Sequence, residues 1–325
     1  LEEEPVNNRL RCTLCVVALA AAAIAPAAGA AEVSLKAAAF LPVKSVYVIQ
    51  FGRWVDEVNK QCTGKVKISV VGPEAIKSLE QWNALKNGVV DMHYGPPNYY
   101  VGAFPAGDVI SVARNESAAQ RKNGAWALIN AAHNQKLNAW YLTHLMNGVR
   151  FHIYTLKPGK DGKFDGFRLR STPIYDAFFK SLGGLPVRMA PPEVHTALER
   201  GTVDGYGWPL WGIADFGWHK YTKYRYGPGF ISAAVAILVN LDKWKSLDND
   251  QRQCLTRVAE WVEGEWPKWR AAEDGKQRAV QDQAGIKYVD LGPGFASQAE
   301  ELYWELLAKG DPEFVKKVRP LLGGK

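Results

Sequence analysis

Between Val33 and Gln283 the chain switches repeatedly between two hydrophobic periodicities, and this alternation restricts the fold more than any other feature of its 325 residues. Val33 to Phe40 reads as a buried strand, and Val46 to Val58 carries helical spacing. Lys65 to Val71 alternates charged and apolar residues as a half-buried strand does. Leu79 to Leu85 reads as a helix, and Gly88 precedes a short strand from Val89 to Met92. A helix follows near Ala118 to Ala132, then strands at Val149 to Tyr154 and Phe167 to Arg170. Thr172-Pro173 has the form of an N-cap and first turn for a helix through Leu182, which Gly183-Gly184 stops. A short helix from Pro192 to Arg200, an apolar strand from Ile231 to Asn240 and a long helix from Asp248 to about Gln283 complete the pattern. Strand and helix in alternation predict an α/β fold with largely parallel sheets. At roughly 150 residues per domain, the length predicts two domains. No internal repeat interrupts the pattern.

The N-terminus stands apart. Arg9 and Arg11 precede an apolar stretch from Leu14 to Ala25, followed by the small-residue run Pro26 to Ala31. This is the order of a secretory signal peptide, with Ala28 and Ala30 at the small positions before cleavage. The apolar stretch falls short of the roughly 20 residues a spanning helix needs. Residues 1–30 are therefore expected to be a cleaved signal peptide and the mature chain a periplasmic protein. Cys12 and Cys15 lie inside that leader. Cys62 and Cys254 remain, and in an oxidising compartment they could pair or stay as separate buried thiols.

Composition excludes some classes of function. With 47% hydrophobic and 22% charged residues the chain is not disordered, collagen-like or a coiled coil. The net charge of +7 raises nucleic acid as a partner, but Lys and Arg are scattered and form no run, so none is expected. The chain has no G-x-S-x-G, H-E-x-x-H, P-loop or G-x-G-x-x-G motif. Its six histidines show no metal-ligand spacing. A catalytic role is not expected, nor is a metal or a cofactor.

Arginines at strand ends carry the clearest chemical signal. The period of two sets Arg150, His152 and Tyr154 on one strand face. Arg170 ends its strand just before a helix start, where open α/β sheets bind ligands. A guanidinium grips a carboxylate through two parallel hydrogen bonds, which Lys cannot reproduce. Surface ion pairs would explain the same arginines equally well.

Three stretches together resemble a known family. They are Asp165-Gly166-Phe167-Arg168-Leu169-Arg170, then Leu182-Gly183-Gly184-Leu185-Pro186-Val187-Arg188-Met189, then Pro192 to Gly205 with its Glu193-Val194-His195 and Val203-Asp204-Gly205. In this order they are similar to the central motifs of the DctP-type solute-binding proteins of TRAP transporters. Arg168 stands at the usual Lys and His195 at the usual Tyr. Leu85 to Met92 is similar to a turn of that family's first domain, and the resemblance covers nearly all of the chain after Ala31.

That resemblance implies a periplasmic-binding-protein-like two-domain clamp, each domain a mostly parallel sheet flanked by helices, with a long helix shared between them. Residues 31–147 with 230–272 would form one domain, and 148–229 with 273–325 the other. It implies capture of a small organic acid in the interdomain cleft and delivery to the TRAP membrane permease subunits. Arg170 would grip the carboxylate and Arg150 would be a second arginine. Tyr206, Trp208 and Pro209 fall where the family has cleft residues, and Gly207 stands where some metal-using members have Glu. Tyr94, Pro96 and Tyr99 would line the cleft from the first domain, with Phe40 at the end of the first strand. So many aromatic rings favour a monocarboxylate with a compact apolar or aromatic body over a sugar acid. A periplasmic carbohydrate-binding protein, or an enzyme on a similar two-domain fold, is the alternative.

Overall fold

The computed structural model describes residues 1–3 and 31–324. The signal-peptide reading, with Cys12 and Cys15, lies outside the described residues. Residues from Glu32 onward form one compact unit, and every contact described below lies within it.

The strands are Val33–Ala39 (β1), Val66–Val71 (β2), Met92–Gly95 (β3), Ala139–Leu145 (β4), Phe151–Thr155 (β5), Arg168–Ser171 (β6), Leu185–Arg188 (β7), Gly205–Pro209 (β8), Tyr224–Gly227 (β9), Val235–Asn240 (β10) and Lys287–Asp290 (β11). They form two sheets, ordered β2-β1-β3-β10-β4 and β11-β9-β5-β8-β6-β7. In each sheet one strand runs against both neighbours: β10 against β3 and β4, and β5 against β8 and β9. All other pairings are parallel. The sheets are therefore mixed, and the reversed strands have a common cause. β5 and β10 are the strands that the chain enters directly through its two short passages from one sheet to the other. Each enters from the end at which the parallel strands leave.

The two passages, 146–150 and 228–234, lie side by side and are hydrogen-bonded as an antiparallel pair. Phe151 N donates to Ile231 O at 2.9 Å and Ala233 N to Val149 O at 2.8 Å. A third link between the halves is the helix Asn249–Gln283, which opens on a capping box formed by Asp248 and Gln251. Near its start, Cys254 is bridged to Cys62, which caps the helix Val46–Gln61. Farther along, Glu263 accepts from Thr143 of β4 and pairs with Arg121. Its last turns reach the second sheet, where Gln281 donates to Leu210 O at 2.7 Å and to the Tyr154 hydroxyl. The bridge spans 192 residues of sequence. In the loop-entropy picture a closure of that length stabilises by about 5 kcal/mol.

Several local expectations shift. The strand expected at Val89–Met92 starts only at Met92, because Gly88 turns left-handed at φ +72° and leaves Val89 exposed. The helix expected near Ala118–Ala132 is two helices, Ser117–Lys122 and Ala125–Leu137, broken at Gly124 with φ +90°. β4 has no sequence alternation because it is buried on both faces, so its polar Thr143 and His144 are interior residues. Thr172 does not cap through its side chain. A short 3-10 turn, Pro173–Tyr175, comes between it and the helix Asp176–Ser181. The apolar run from Ile231 is only partly strand, since its first four residues belong to the passage between the sheets.

Four histidines are buried in this core, and burial lowers the pKa of each: His93, His144 and His152 to about 3, His133 to about 4. Asp108 is buried too, and desolvation raises its pKa to about 7 despite hydrogen bonds from Ser111 and Tyr303. Unfolded histidines take up protons near pH 6.5 while the folded ones do not, so they remove stability as pH falls from about 7 towards about 4. Asp108 acts oppositely, because its folded carboxyl takes up a proton before the unfolded one does. At pH 5 each histidine costs roughly 2 kcal/mol, and four outweigh one. The urea midpoint should therefore fall by a few kcal/mol equivalent between pH 7 and pH 5, and Asp108→Asn should make that fall steeper. A midpoint that holds or rises on acidification would contradict this.

Candidate binding cavity

The cleft ends of β1, β3, β6 and β8 converge with the two passages around a cavity with about 450 Å³ of space, its open mouth included. This is the carboxyl-end crevice where open α/β sheets bind ligands. From the first sheet come Phe40, just past β1, and Pro96, Asn98 and Tyr99, just past β3. Tyr47 joins them from the first turn of the helix Val46–Gln61, whose start is fixed by the Ser45 cap. Phe151 and Ala233 to Val235 come from the passages and the strands they feed. The second sheet supplies Arg170, Thr172, Tyr175, Trp208 and Pro209.

Arg170 is the only charged residue in this lining, and it is 1% exposed. Among the described residues no carboxylate forms an ion pair with it. Its Nε and Nη2 donate to Met189 O at 3.2 and 3.0 Å, and Nη1 donates to the Tyr175 hydroxyl at 2.9 Å and to Gly207 O at 3.3 Å. Of the five guanidinium hydrogens one, on Nη2, is left over. The Tyr175 hydroxyl in turn donates to Gly207 O at 3.0 Å. Burial raises the Tyr99 pKa to about 12 although the Arg170 charge pulls the other way, and Tyr175 is raised for the same reasons. Both phenols therefore remain neutral donors at any ordinary pH.

The walls are aromatic and edge-packed. Phe40 meets Tyr47, Tyr94 and Tyr99 edge to face, with centroids 5.8 to 6.0 Å apart. Trp208 donates its indole N–H to Trp211 O at 2.9 Å, which satisfies its one polar atom. Its ring lies 5.4 Å from the Arg170 guanidinium carbon. Asn98 brings a buried side-chain oxygen that has no protein donor. Gly207 is required by close approach. A Cβ there would come within 2.7 Å of the Phe179 ring and 2.8 Å of the Tyr175 ring. Glycine at this position lets Tyr175 lie beside the strand and leaves Gly207 O open to Arg170.

Of the residues picked out by sequence, Arg170, Trp208, Pro209, Tyr99, Pro96 and Phe40 meet here, and three do not. Arg150 faces away, because it alternates with Phe151, which faces the cavity. Its Nη1 donates to Phe230 O and pairs with Glu300 at 3.0 Å. Tyr94 lies beneath the lining, stacked on Phe51 at 4.4 Å, with its hydroxyl donating to Tyr47 O. Tyr206 sits one pleat deeper than Trp208, stacked on Tyr154 and hydrogen-bonded to Thr222. Tyr206 to Pro209 all lie within the strand β8. The sequence alone does not single out Tyr47, Ser111, Phe151, Thr172 or Tyr175, and it places Asn98 only within the cleft segment Tyr94 to Tyr99. The rule that ligands bind at carboxyl ends of strands pointed to Thr172, which directly follows β6. Among the described residues no group of three His, Cys, Asp or Glu side chains is arranged to hold a metal.

The sequence profile for bacterial extracellular solute-binding proteins of family 7, named DctP, matches residues 37–310. A solute-binding protein of Roseobacter denitrificans is 21% identical over 302 residues, covering 90% of this chain and 91% of its own. Its crystal structure, with bound L-galactonate, superposes with a TM-score of 0.74 at 18% identity, covering 90% of this chain and 99% of that one. A TRAP periplasmic solute-binding protein from Desulfovibrio desulfuricans, with bound sn-glycerol-3-phosphate, gives 0.78 at 20% identity over 90% and 98% of the two chains. A marine metagenome TRAP protein specific for aromatic acid ligands gives 0.72 at 20% identity over 90% and 99%. At these identities the superpositions establish a shared fold.

Adding a methyl at Gly207 tests the packing around Arg170. Gly207→Ala should destabilise the protein by about 1–3 kcal/mol, the usual cost of overpacking a filled core, as read by urea denaturation. An unchanged midpoint would mean that Tyr175 and Phe179 can move aside freely.

Proposed function

The chain belongs to the bacterial extracellular solute-binding proteins of family 7, the DctP family, and on that premise we propose that its cavity captures a small organic monocarboxylate for a TRAP permease. The observation that carries this reading is Arg170: a fully buried cation in an aromatic cavity, with no acidic partner among the described residues. Neutral carbonyls and a phenol only partly replace the water such a charge has lost. A carboxylate arriving at Nη2, and sharing Nη1 with Tyr175, supplies the missing opposite charge. No acidic side chain in the lining repels it.

The body of the ligand faces Phe40, Tyr99 and Trp208. Flat apolar carbon against such rings gains roughly 25 cal/mol per Å² buried and about 0.5–1.5 kcal/mol from stacking. Each hydroxyl left unpaired there costs about 1–3 kcal/mol. Asn98 and Ser111 leave room for one or two polar substituents, consistent with a hydroxy or oxo acid. The relatives vary widely in ligand, from L-galactonate to aromatic acids, so the cavity's own lining makes the choice.

In this proposal the halves 31–147 with 230–272 and 148–229 with 273–325 close on the acid about the two passages. A ligand favours closure only by its higher affinity for the closed form. The protein is exported by cleavage of residues 1–30, acts in the periplasm, hands the acid to the permease and breaks no bond in it.

Arg170→Lys keeps the charge but loses the planar fork, and should weaken binding of the best acid by about 2–5 kcal/mol in calorimetry. Unchanged affinity would remove Arg170 from the site. In a thermal-shift panel, aromatic or short 2-oxo and 2-hydroxy monocarboxylates should raise the melting temperature most. A ligand at a hundred times its Kd adds about 2.7 kcal/mol. Tight binding of a uronate with no response to any apolar monocarboxylate would refute the ligand class.

A further inference from the structure

A second cavity, of about 740 Å³ with its open mouth, lies on the other face of the passages. The strand alternation that turns Phe151 into the aromatic cavity turns Arg150 and His152 into this one. Its other walls carry Arg225 from β9, Asp274 and Arg278 from the long helix, and Tyr288 from β11. Gly229 admits the strand face closely, since a Cβ there would lie 2.4 Å from that of Arg150.

Positive charge in this cavity exceeds the negative charge that answers it. Arg150 pairs with Glu300 at 3.0 Å, but Glu300 is shared with Arg114 at 2.7 Å. Arg278 reaches Asp274 only at 3.9 Å, and the other Asp274 oxygen accepts the Trp211 indole N–H at 2.6 Å. Arg225 is 6% exposed, and among the described residues no carboxylate pairs with it. Its Nη1 donates to Gln281 Oε1 at 2.7 Å, its guanidinium lies 5.0 Å from the Tyr288 ring, and its Nε has no partner. Burial, followed by the charges of Arg225 and Arg278, holds His152 neutral, with its Nδ1 against Tyr226 O. That imidazole adds no positive charge, and because its one N–H is spent on Tyr226 O, its Nε2 is an acceptor and the arginines alone supply donors to an anion. A buried guanidinium in the wall of a roomy basic cavity, with no carboxylate paired to it among the described residues, is an arrangement that suits oxyanions.

We propose that this cavity is a second site, for one small oxyanion such as phosphate, gripped by Arg225 and Arg278 with Arg150 at its edge. It is separate from the aromatic cavity and independent of what that cavity binds.

Calorimetric titration of the purified protein with inorganic phosphate, at ionic strength held constant with sodium chloride, tests the proposal. Sulfate and acetate run alongside to separate a tetrahedral anion from a carboxylate. Saturable binding of one phosphate is expected. Arg278→Gln, at an exposed position whose change spares the fold, should weaken it about tenfold or more, the worth of one charge-assisted hydrogen bond. Arg225→Gln, read on protein whose circular dichroism matches the parent, should weaken it at least as much. Arg170→Lys should leave it within about twofold, since its guanidinium belongs to the other cavity. The proposal is overturned if no saturable heat appears beyond the chloride control. It is equally overturned if acetate alone binds, or if Arg170→Lys abolishes phosphate binding while Arg278→Gln spares it.

Discussion

A guanidinium sunk to 1% exposure at the end of β6, with no carboxylate beside it among the described residues, is the constraint around which the aromatic cavity is built. Removing such a charge from water costs several kcal/mol, and neutral partners return only part of that. The structure assembles those partners from three separate places: Met189 after β7, Tyr175 in the turn after β6, and Gly207 in β8. Each needs its own local device. The 3-10 turn at Pro173–Tyr175 swings the phenol over the strand end, and the bare α-carbon of Gly207 leaves space for it. The deficit that remains is electrostatic, of the kind that an anion offsets.

Chain topology brings the rest of the cavity to that point. Because β5 and β10 enter their sheets from the cleft end, both passages run through the region where the parallel strands stop. One face of β5 then serves the aromatic cavity through Phe151, and the other serves the basic cavity through Arg150 and His152. The long helix contacts both sheets and is tied to the first by the Cys62–Cys254 bridge. Two chemically opposite cavities thus share one pair of passages as a common wall.

Much of this was legible in the residues. The helix over 249–283 with its Asp248 cap, the strands β1, β2 and β6, and Arg170 at a strand end all follow from periodicity and capping. β4 and β8 were not legible, because strands buried on both faces lose the alternation that marks a strand. Arg150 shows the other limit. Its sequence position matches a ligand-binding arginine, and its face on the strand could be read from the period of two. Which face looks into the cavity is set by the pairing of β5 with β8 and β9, a tertiary fact. Tyr94 and Tyr206 lie within one residue layer of the lining, and sequence spacing does not resolve a single layer. The free or bridged state of Cys62 and Cys254 likewise depends on the packing of two helices 192 residues apart.

The central claim is that Arg170 is the cation an organic acid neutralises. A crystal structure of the protein with the best-binding monocarboxylate tests it most directly. The account predicts the carboxylate at about 2.7–2.9 Å from the Arg170 Nη atoms, with the ligand body between Tyr99 and Trp208. A carboxylate seated elsewhere, with Arg170 still bound only to Met189, Tyr175 and Gly207, would contradict it.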